Sequence, residues 1–223
     1  MKHNYRWLAL IVAMALTGCA RTPALSSNSV TQTQNSVIDG KTTVVELKQQ
    51  YGEPESMSPT EHGKVNIGWK KTWADNPFKE ADISRLNVLA DDGVVIKHVV
   101  SRYPVTTNND FLETISKEDI GKYIKPYVTT ETSVMAKYGQ PISYVFSDRG
   151  EKIMLYLWQN ITDDLSRMIP IVGGFTGTQS GPVNTLLITL NDDGTVKEWE
   201  LVHAQGKRGA GILNASAITL TPQ

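Results

Sequence analysis

Cys19 is the only cysteine of the 223-residue chain, and its position suggests chemistry at its sulfur. The preceding segment carries Lys2 and Arg6, then ten uninterrupted apolar residues at positions 7–16, then two small residues. A charged start, a short apolar run and a small-residue end are typical of a cleaved secretory leader. The run is too short to span a bilayer, which takes about 20 apolar residues. We therefore predict that residues 1–18 form a signal peptide.

The end of this leader, Leu-Thr-Gly-Cys at positions 16–19, resembles the bacterial lipoprotein signal. The resemblance implies cleavage before Cys19, a diacylglyceryl group on its sulfur and a fatty acid such as palmitate on its freed amine. Each buried methylene contributes about 0.8 kcal/mol, so several chains anchor a protein firmly. Ala20 is a second residue that in Gram-negative lipoproteins permits export to the outer membrane, facing the periplasm. The alternative is a secreted protein with an incidental or buried thiol.

The other reactive side chains do not form a recognisable catalytic or metal-binding motif. His62, His98 and His203 remain after the leader, and none has a cysteine or carboxylate partner at metal-ligand spacing. No Gly-x-Ser-x-Gly nucleophile motif occurs. We therefore expect a protein that is not an enzyme and holds no metal or cofactor. His98 and His203 are expected at similar places on the last strand of two repeated units.

The charge of the chain argues against nucleic-acid binding. Without its leader the chain has 20 basic and 23 acidic residues, because Lys2 and Arg6 are removed. Tracking a phosphate backbone requires a strongly basic face. A single cysteine also allows no intramolecular disulfide, so the fold depends on burial and backbone pairing.

Residues 19–40 are predicted to be a lipidated, flexible tether. Arg21 and Asp39 are the only charged residues at positions 20–40, where Ser, Thr, Asn and Gln dominate. Such a composition buries little apolar area to offset the entropy of ordering. About 20 flexible residues reach about 25 Å on average, so the folded part would stand off the membrane.

An apolar segment within positions 165–181 is the candidate contact surface. The run from Leu165 to Phe175 is broken by proline and glycine, which disfavours regular core structure. Exposed apolar loops mark contact surfaces, and aromatic side chains dominate binding hot spots. The alternative is a hairpin folded back over its own sheet edge. The candidate partner-binding residues are Met168, Ile169, Ile171, Phe175 and Trp158.

An internal repeat supplies the elements that would position these residues. Positions 42–54 align with positions 129–141, and both stretches end in Tyr-Gly-x-Pro. A Trp-bearing run and an Asp-Asp-Gly follow in each case, at positions 91–93 and 192–194. The spacing between the repeats grows from 87 to 101 residues, which places an insertion of about fourteen residues in the second copy.

Local patterns predict a short helix followed by strands in each copy. Thr42 is the predicted N-cap, Val44, Leu47 and Tyr51 share one helical face, and Gly52 ends the helix. Alternation predicts a strand at 65–70, the repeat places its counterpart at 153–158, and strand pairs are predicted at the two Asp-Asp-Gly turns. A capping pattern at 116–119 predicts another helix, ended by a proline at 126.

These elements predict an α+β protein of two tandem repeats, each a helix plus a three-stranded antiparallel sheet. The first repeat is assigned to residues 41–110. The second is assigned to residues 111–223 and includes the apolar loop insertion at 165–181. Residues 206–211, rich in glycine and basic residues, are predicted to be a linker.

The Tyr-Gly-x-Pro helix end, the Trp-bearing strand and the Asp-Asp-Gly hairpin behind a lipoprotein leader resemble the BamE-like (SmpA/OmlA) small outer-membrane lipoproteins. The same unit occurs in tandem in the β-lactamase inhibitor protein. The resemblance implies a surface for an envelope protein partner rather than a reaction. An assembly or scaffold subunit is the first expectation. An inhibitor or immunity-type lipoprotein that blocks an envelope hydrolase or toxin is the alternative.

Overall fold

The computed structural model describes residues 24–27, 29–74, 78, 80–105, 109–160, 162–163, 178–209 and 219–222. Blocks of helices and strands follow one another along the chain, which confirms the α+β class. The helical elements are α1 (Ala24–Ser27), α2 (Val30–Ser36), α3 (Val44–Tyr51), a 3-10 helix (Asp110–Glu113), α4 (Lys117–Tyr123) and α5 (Glu131–Tyr138). The strands are β1 (Ser56–Pro59), β2 (Val65–Trp73), β3 (Asp82–Asp91), β4 (Val94–Pro104), β5 (Ser143–Phe146), β6 (Lys152–Gln159), β7 (Thr162–Asp163), β8 (Thr178–Leu190), β9 (Val196–Gly209) and β10 (Thr219–Pro222).

Two antiparallel sheets carry the fold. The first has the strand order β1-β2-β3-β4, and the second has the order β10-β9-β8-β6-β5, with β7 paired to β8. The prediction of three-stranded sheets is therefore not confirmed. Strands β1 and β5 each have only four residues, too few for a clear alternating pattern in the sequence. Each of them adds a fourth strand to a three-stranded meander, and β7 and β10 extend the second sheet further.

Helices α3 and α5 begin in the same way. Thr43 Oγ1 accepts a hydrogen bond from Glu46 N at 3.2 Å, and Thr130 caps α5 through the equivalent contact. These caps satisfy backbone donors that have no partner within the helix. The predicted cap, Thr42, lies one residue too early, and its Oγ1 accepts from Ile38 N at 2.8 Å instead.

Backbone contacts join each helix start to its own sheet at equivalent points. Val95 N donates to Thr42 O at 2.9 Å, and Val196 N donates to Thr129 O at 2.7 Å. Both acceptors immediately precede a helix cap, and both donors follow the turn between the last two long strands. The two halves therefore share their element order and the way in which helix and sheet connect.

Each sheet packs one face against helices to form a hydrophobic core. In both cores the central residues come from the helices and from alternate strand positions. The first core contains Leu25, Val37, Leu47, Ile67, Trp69, Leu86, Val88, Ala90 and Val95. The second contains Leu112, Ile120, Ile124, Val134, Tyr138, Tyr144, Met154, Tyr156, Leu186, Ile188, Leu190, Val196 and Leu201.

The tether predicted for residues 19–40 is wrong for its described part, residues 24–27 and 29–40, where the structure places α1 and α2. Leu25 and Val37 are only 4% and 3% exposed and belong to the first core. Gln34 Oε1 accepts from Val100 N at 3.1 Å, so α2 covers the edge of β4. This segment is ordered with few apolar residues because polar side chains of α2 form hydrogen bonds with the edge of β4.

The two sheets meet where strand β5 lies against the first sheet. Asn66 Nδ2 donates to Phe146 O at 2.7 Å, and Phe146 N donates to Asn66 Oδ1 at 2.8 Å. The hydroxyl of Tyr103 donates to Ile142 O beside them. Side chains of the first half thus occupy the free backbone groups of a second-half edge strand, which protects that edge from other pairing.

The predicted linker at 206–211 is wrong for positions 206–209, which continue strand β9. Gly206 pairs with Gly181 of β8 on one side and with Leu220 of β10 on the other. Pairing on both sides satisfies backbone groups that glycine would otherwise expose. Tertiary pairing therefore overrides the weak strand preference of glycine at this point.

Candidate functional site

Most of the residues predicted to contact membrane or partner lie outside the described residues. These are the lipidation residue Cys19 and the loop residues Met168, Ile169, Ile171 and Phe175. The structure brings none of them into a described site, and their predicted roles stay predictions. Trp158 is the one member of the set that the structure describes.

Trp158 lies near the end of β6 with its side chain half-buried against the second core. Its neighbour across the sheet is Asn184, which donates through Nδ2 to Leu112 O at 2.7 Å and so holds the 3-10 helix. The indole therefore contributes to packing beneath that helix. Only the exposed part of the Trp158 side chain is available for contact with a partner.

The opposite face of the second sheet is the larger candidate surface. Alternation along β6 sends Met154, Tyr156 and Trp158 to the core and the residues between them to the other side. Leu155 pairs with Leu187 of β8, and the same face continues across β9. We call this surface the open face and define it as Ile153, Leu155, Leu157, Thr185, Leu187, Thr189, Glu198, Glu200 and Val202.

The apolar residues of the open face belong to neither hydrophobic core. Leu155, Leu157, Leu187 and Val202 are half-buried, and neither core includes them. A groove of about 440 Å³ crosses the face. Its lining residues are Ile153, Leu187, Thr189, Glu198, Trp199 and Glu200. Apolar and acidic residues thus lie side by side along this groove.

Two acidic residues border this groove. Glu198 and Glu200 are exposed, and within the described part of the chain neither forms an ion pair. Lys197, the residue before Glu198 on β9, pairs with Glu151 at 2.5 Å. The open face therefore combines an apolar centre with two exposed carboxylates at its rim.

The sequence contains a signal for this face that the repeat pattern obscured. Positions 153–158 are all apolar, whereas a strand with one solvated face alternates between apolar and polar residues. A continuous apolar run predicts that both faces are to be covered. Among the described residues, helices cover only one of these faces.

His98 has a structural role and holds α2 against β4. Its side chain is 9% exposed, Nδ1 lies 2.6 Å from Asp39 Oδ1, and Nε2 lies 3.0 Å from Gln34 O. An Asp-His pair is also part of many hydrolases, but there the second ring nitrogen faces a nucleophile. Here that nitrogen faces the backbone of α2, so the pair fastens the helix to β4.

The expected equivalence of His98 and His203 is wrong. His98 lies opposite Val88, and the residue in the matching place of the second sheet is Trp199, opposite Ile188. His203 lies four residues further along β9 and is exposed, with Nδ1 2.8 Å from Asn184 Oδ1. The two histidines therefore have different neighbours and no shared role.

A cluster that the sequence could not reveal joins the two halves. Potential ligand atoms of Glu61, His62 and Asp148 lie within 4.8 Å of one another. His62 Nδ1 is 2.7 Å from Asp148 Oδ2, and Lys64 Nζ donates to Asp148 O at 2.5 Å. Hydrogen bonds from Thr60 and His62 hold the pKa of Asp148 below its ordinary value. The carboxylate is thus already paired, and a lysine ammonium lies beside it, which disfavours a cation there.

No helix in the described part of the chain is long and apolar enough to cross a membrane. Comparison with known proteins gives no match of this chain to a family model, to a curated protein or to a solved structure. The arguments for function consequently come from the residues and from the geometry described above.

Proposed function

We propose that this protein is a lipid-anchored lipoprotein of the Gram-negative envelope that binds another envelope protein in the periplasm. Cys19 would carry the lipid anchor, in the outer membrane, as the lipoprotein-like leader and Ala20 suggest. The folded part would act as a binding module in an assembly or scaffold, without catalysis of its own. The observation that carries the binding role is the open face.

The open face supports partner binding because its apolar residues lie outside both cores. Burial of apolar surface contributes about 25 cal/mol for each Å² removed from water. Leu187 lies near the centre of the face, between Leu155 and Glu200 across the neighbouring strands. A partner with aliphatic residues flanked by lysine or arginine would match both the apolar centre and the acidic rim.

The resemblance to the BamE-like lipoproteins supports the same role. The residues that carry it take structural positions in both halves: the Tyr-Gly pairs end α3 and α5, and the Asp-Asp-Gly turns join the last long strands. BamE-like proteins have one such unit, whereas this chain has the pattern twice. The tandem arrangement favours the second candidate, an inhibitor or immunity-type protein, because the β-lactamase inhibitor protein is similarly duplicated.

Lipid anchoring is tested by metabolic labelling with palmitate in a Gram-negative host. We expect incorporation into the wild type and none into Cys19→Ser. Ala20→Asp is the matched variant, which should incorporate the label but change the membrane fraction in which the protein is found. Equal labelling of wild type and Cys19→Ser would overturn the anchor.

Partner binding is tested with a photo-crosslinking residue placed at position 187 in living cells. Position 45 is the matched control, since Val45 is 63% exposed but lies on α3, away from the open face. We expect a discrete crosslinked product from position 187 that Leu155→Asp abolishes, and none from position 45. A single stoichiometric membrane-complex subunit would support the scaffold role, and a soluble hydrolase or toxin would support the inhibitor role. The same products from both positions would contradict the proposal.

A further inference from the structure

Exposed apolar residues lie together at one end of the first sheet. Phe78, in the connection between β2 and β3, is 96% exposed, and Val105, just after β4, is 46% exposed. Val105 N donates to Ala81 O at 2.8 Å beside the start of β3, where Trp73 pairs with Asp82. We call this end the sheet tip and define it as Trp73, Phe78 and Val105. Exposure of a phenylalanine ring to water is unfavourable, so its transfer to another apolar phase would be stabilising.

Trp73 gives the sheet tip an aromatic residue of the type found at membrane surfaces. Its Nε1 donates to Ser84 Oγ at 3.0 Å, and the guanidinium of Arg102 lies 4.1 Å from the centre of its ring. Arg102 also donates to Asp82 Oδ2, through Nε at 2.9 Å and through Nη2 at 2.6 Å. Tryptophan is enriched where a bilayer meets water, because its ring system is largely apolar and carries one donor. The charge of Arg102 is already paired at this place.

The chain enters the folded body close to the sheet tip, as a correspondence between the two halves indicates. Ser29 caps α2 and Ser116 caps α4, and these two serines are 87 residues apart. Leu25 of α1 and Leu112 of the 3-10 helix have the same spacing, and both are buried, at 4% and 0% exposure. The repeat therefore reaches back to α1, which corresponds to the 3-10 helix of the second half.

The 3-10 helix lies where the second long strand of its half ends. Leu112 O accepts from Asn184 Nδ2 at 2.7 Å, and Asn184 pairs with Trp158, the last residue but one of β6. Strand β2 begins at position 65 and β6 at position 152, again 87 residues apart, so the counterpart of Trp158 is Lys71. Lys71 is two residues before Trp73. Since α1 contacts β2 and β3, it lies beside the sheet tip.

The connection between α1 and the proposed anchor is short. Residues 20–23 alone separate Cys19 from Ala24, the first residue of α1. An extended chain spans at most about 3.6 Å for each residue, so Cys19 lies within roughly 18 Å of Ala24. The nine residues of β2 span about 30 Å, which is longer than this reach. An anchor at Cys19 would therefore hold the sheet tip, and not the other end of the sheet, next to the bilayer.

We propose that the sheet tip contacts the bilayer in which Cys19 is anchored and inserts the ring of Phe78 among the lipids. This inference rests on the lipid anchor of the proposed function. Phe78 enters the boundary between headgroups and acyl chains, and Trp73 lies at the level of the headgroups. Because Arg102 is paired with Asp82, the contact does not require an anionic lipid. A second point of contact holds the folded body in one orientation on the membrane.

The test uses the acylated protein, purified from membranes and reconstituted into phosphatidylcholine nanodiscs, with a nitroxide label on Val105→Cys. Acylation of the only native cysteine leaves position 105 as the single site for the label. Oxygen is concentrated in lipid and a nickel chelate stays in water, so the ratio of their collision rates with the nitroxide reports its surroundings. Val45→Cys is the matched control, since Val45 is 63% exposed and lies at the start of α3, where Val44 N bonds to Gly93 O at the other end of the sheet.

We expect the oxygen-to-nickel ratio to be severalfold higher at position 105 than at position 45. Phe78→Asp should lower the ratio at position 105 to that of the control, because a charged side chain is not inserted among lipids. Its melting temperature should equal that of the parent, since Phe78 is 96% exposed. Met57→Asp is the matched control, because Met57 is 53% exposed and pairs with Ile67, away from the sheet tip, and it should leave the ratio unchanged.

Equal ratios at positions 105 and 45 would overturn the contact, and so would a high ratio at position 105 that Phe78→Asp does not change. Palmitate labelling then separates the two proposals. Incorporation into the wild type and not into Cys19→Ser leaves the anchor standing while the contact fails. Absence of incorporation removes the anchor and the contact together.

Discussion

Trp69 and Tyr156 make the same contact in the two halves of the molecule. Trp69 Nε1 donates to the carbonyl of Gly52 at 2.8 Å, and the Tyr156 hydroxyl donates to the carbonyl of Gly139 at 3.0 Å. Each glycine ends a helix, and each aromatic residue lies on the second strand of its sheet. Two different side chains thus tie the helix end to the sheet by the same hydrogen bond. The fold conserves the contact although the residue type differs.

Tyr156→Phe should destabilise the protein by about 1 kcal/mol, because it removes this buried hydrogen bond while keeping the ring. Burial raises the pKa of the Tyr156 hydroxyl well above its ordinary value, so it stays a donor at neutral pH. Urea unfolding measures the change. Tyr51→Phe is the control and should have almost no effect, since the Tyr51 hydroxyl makes only an exposed contact of 3.3 Å. Equal losses in both variants would contradict the assignment.

Leu25→Ala should cost about 2 to 5 kcal/mol, the usual range for a leucine removed from a core. The residue lies within the segment whose composition predicts a tether, yet it is 4% exposed. Ile38→Ala is the control, and we expect a change within about 0.5 kcal/mol because Ile38 is 51% exposed. Thermal or urea unfolding gives both values. If Leu25→Ala causes no loss of stability, a flexible tether would again be the better description of residues 19–40.

The Glu151–Lys197 pair should stabilise the protein over a pH range, and this stabilisation should be lost at both acidic and alkaline pH. The hydrogen bond from Lys197 lowers the pKa of Glu151 from its ordinary 4.5, and the same bond raises the pKa of Lys197 from its ordinary 10.5. The glutamate contribution is complete above its unfolded pKa and is lost as the pH falls through the lower folded value. The lysine contribution is complete below its unfolded pKa and is lost as the pH rises through the higher folded value.

The melting temperature of Glu151→Gln against wild type measures this plateau. We expect a constant gap in melting temperature between about pH 5 and pH 10 that shrinks at both extremes. Glu118→Gln is the control, because Glu118 forms only an exposed pair with Lys122 on α4. A gap that persists unchanged at pH 3 would show that the carboxylate charge is not its cause.

Asn66→Asp should destabilise the protein more than Asn66→Ala does. Asn66→Ala leaves the buried N–H and C=O of Phe146 unpaired, at a cost of about 1 to 3 kcal/mol. Asn66→Asp keeps the acceptor but sets a negative charge against the carbonyl oxygen, so we expect a larger loss. Urea unfolding compares the two with Gln50→Ala, an exposed change on α3. A smaller loss for Asn66→Asp than for Asn66→Ala would argue against the bidentate contact.

Local signals were sufficient for the elements that depend on neighbouring residues. The apolar spacing around Leu47, the glycine at 52 and the capping serine at 116 predicted α3 and α4 within a residue or two. The Asp-Asp-Gly turns predicted both hairpins, but not that they differ. In the first, Asp92 and Gly93 have positive φ, as in a two-residue type I′ turn, whereas in the second only Gly194 does.

The candidate surfaces were less accessible to sequence reasoning. The open face is encoded in an apolar run at 153–158, but a run alone does not tell which side helices will cover. The contacts of Asn66, Asn87 and Asp148 join residues more than 50 positions apart. No local pattern marks such a pair before the chain has folded.

The sequence by itself predicted a leader before its single cysteine, and it determined the duplicated helix and hairpin signals and the α+β class, because these follow from local charge, periodicity and turn chemistry. Only the tertiary structure decided the rest. It added the short edge strands, ordered α2 through the buried His98 side chain, and left one face of the second sheet without a helix among the described residues. The reason is physical: pairing of backbone edges and burial of polar side chains depend on which distant segment supplies the partner.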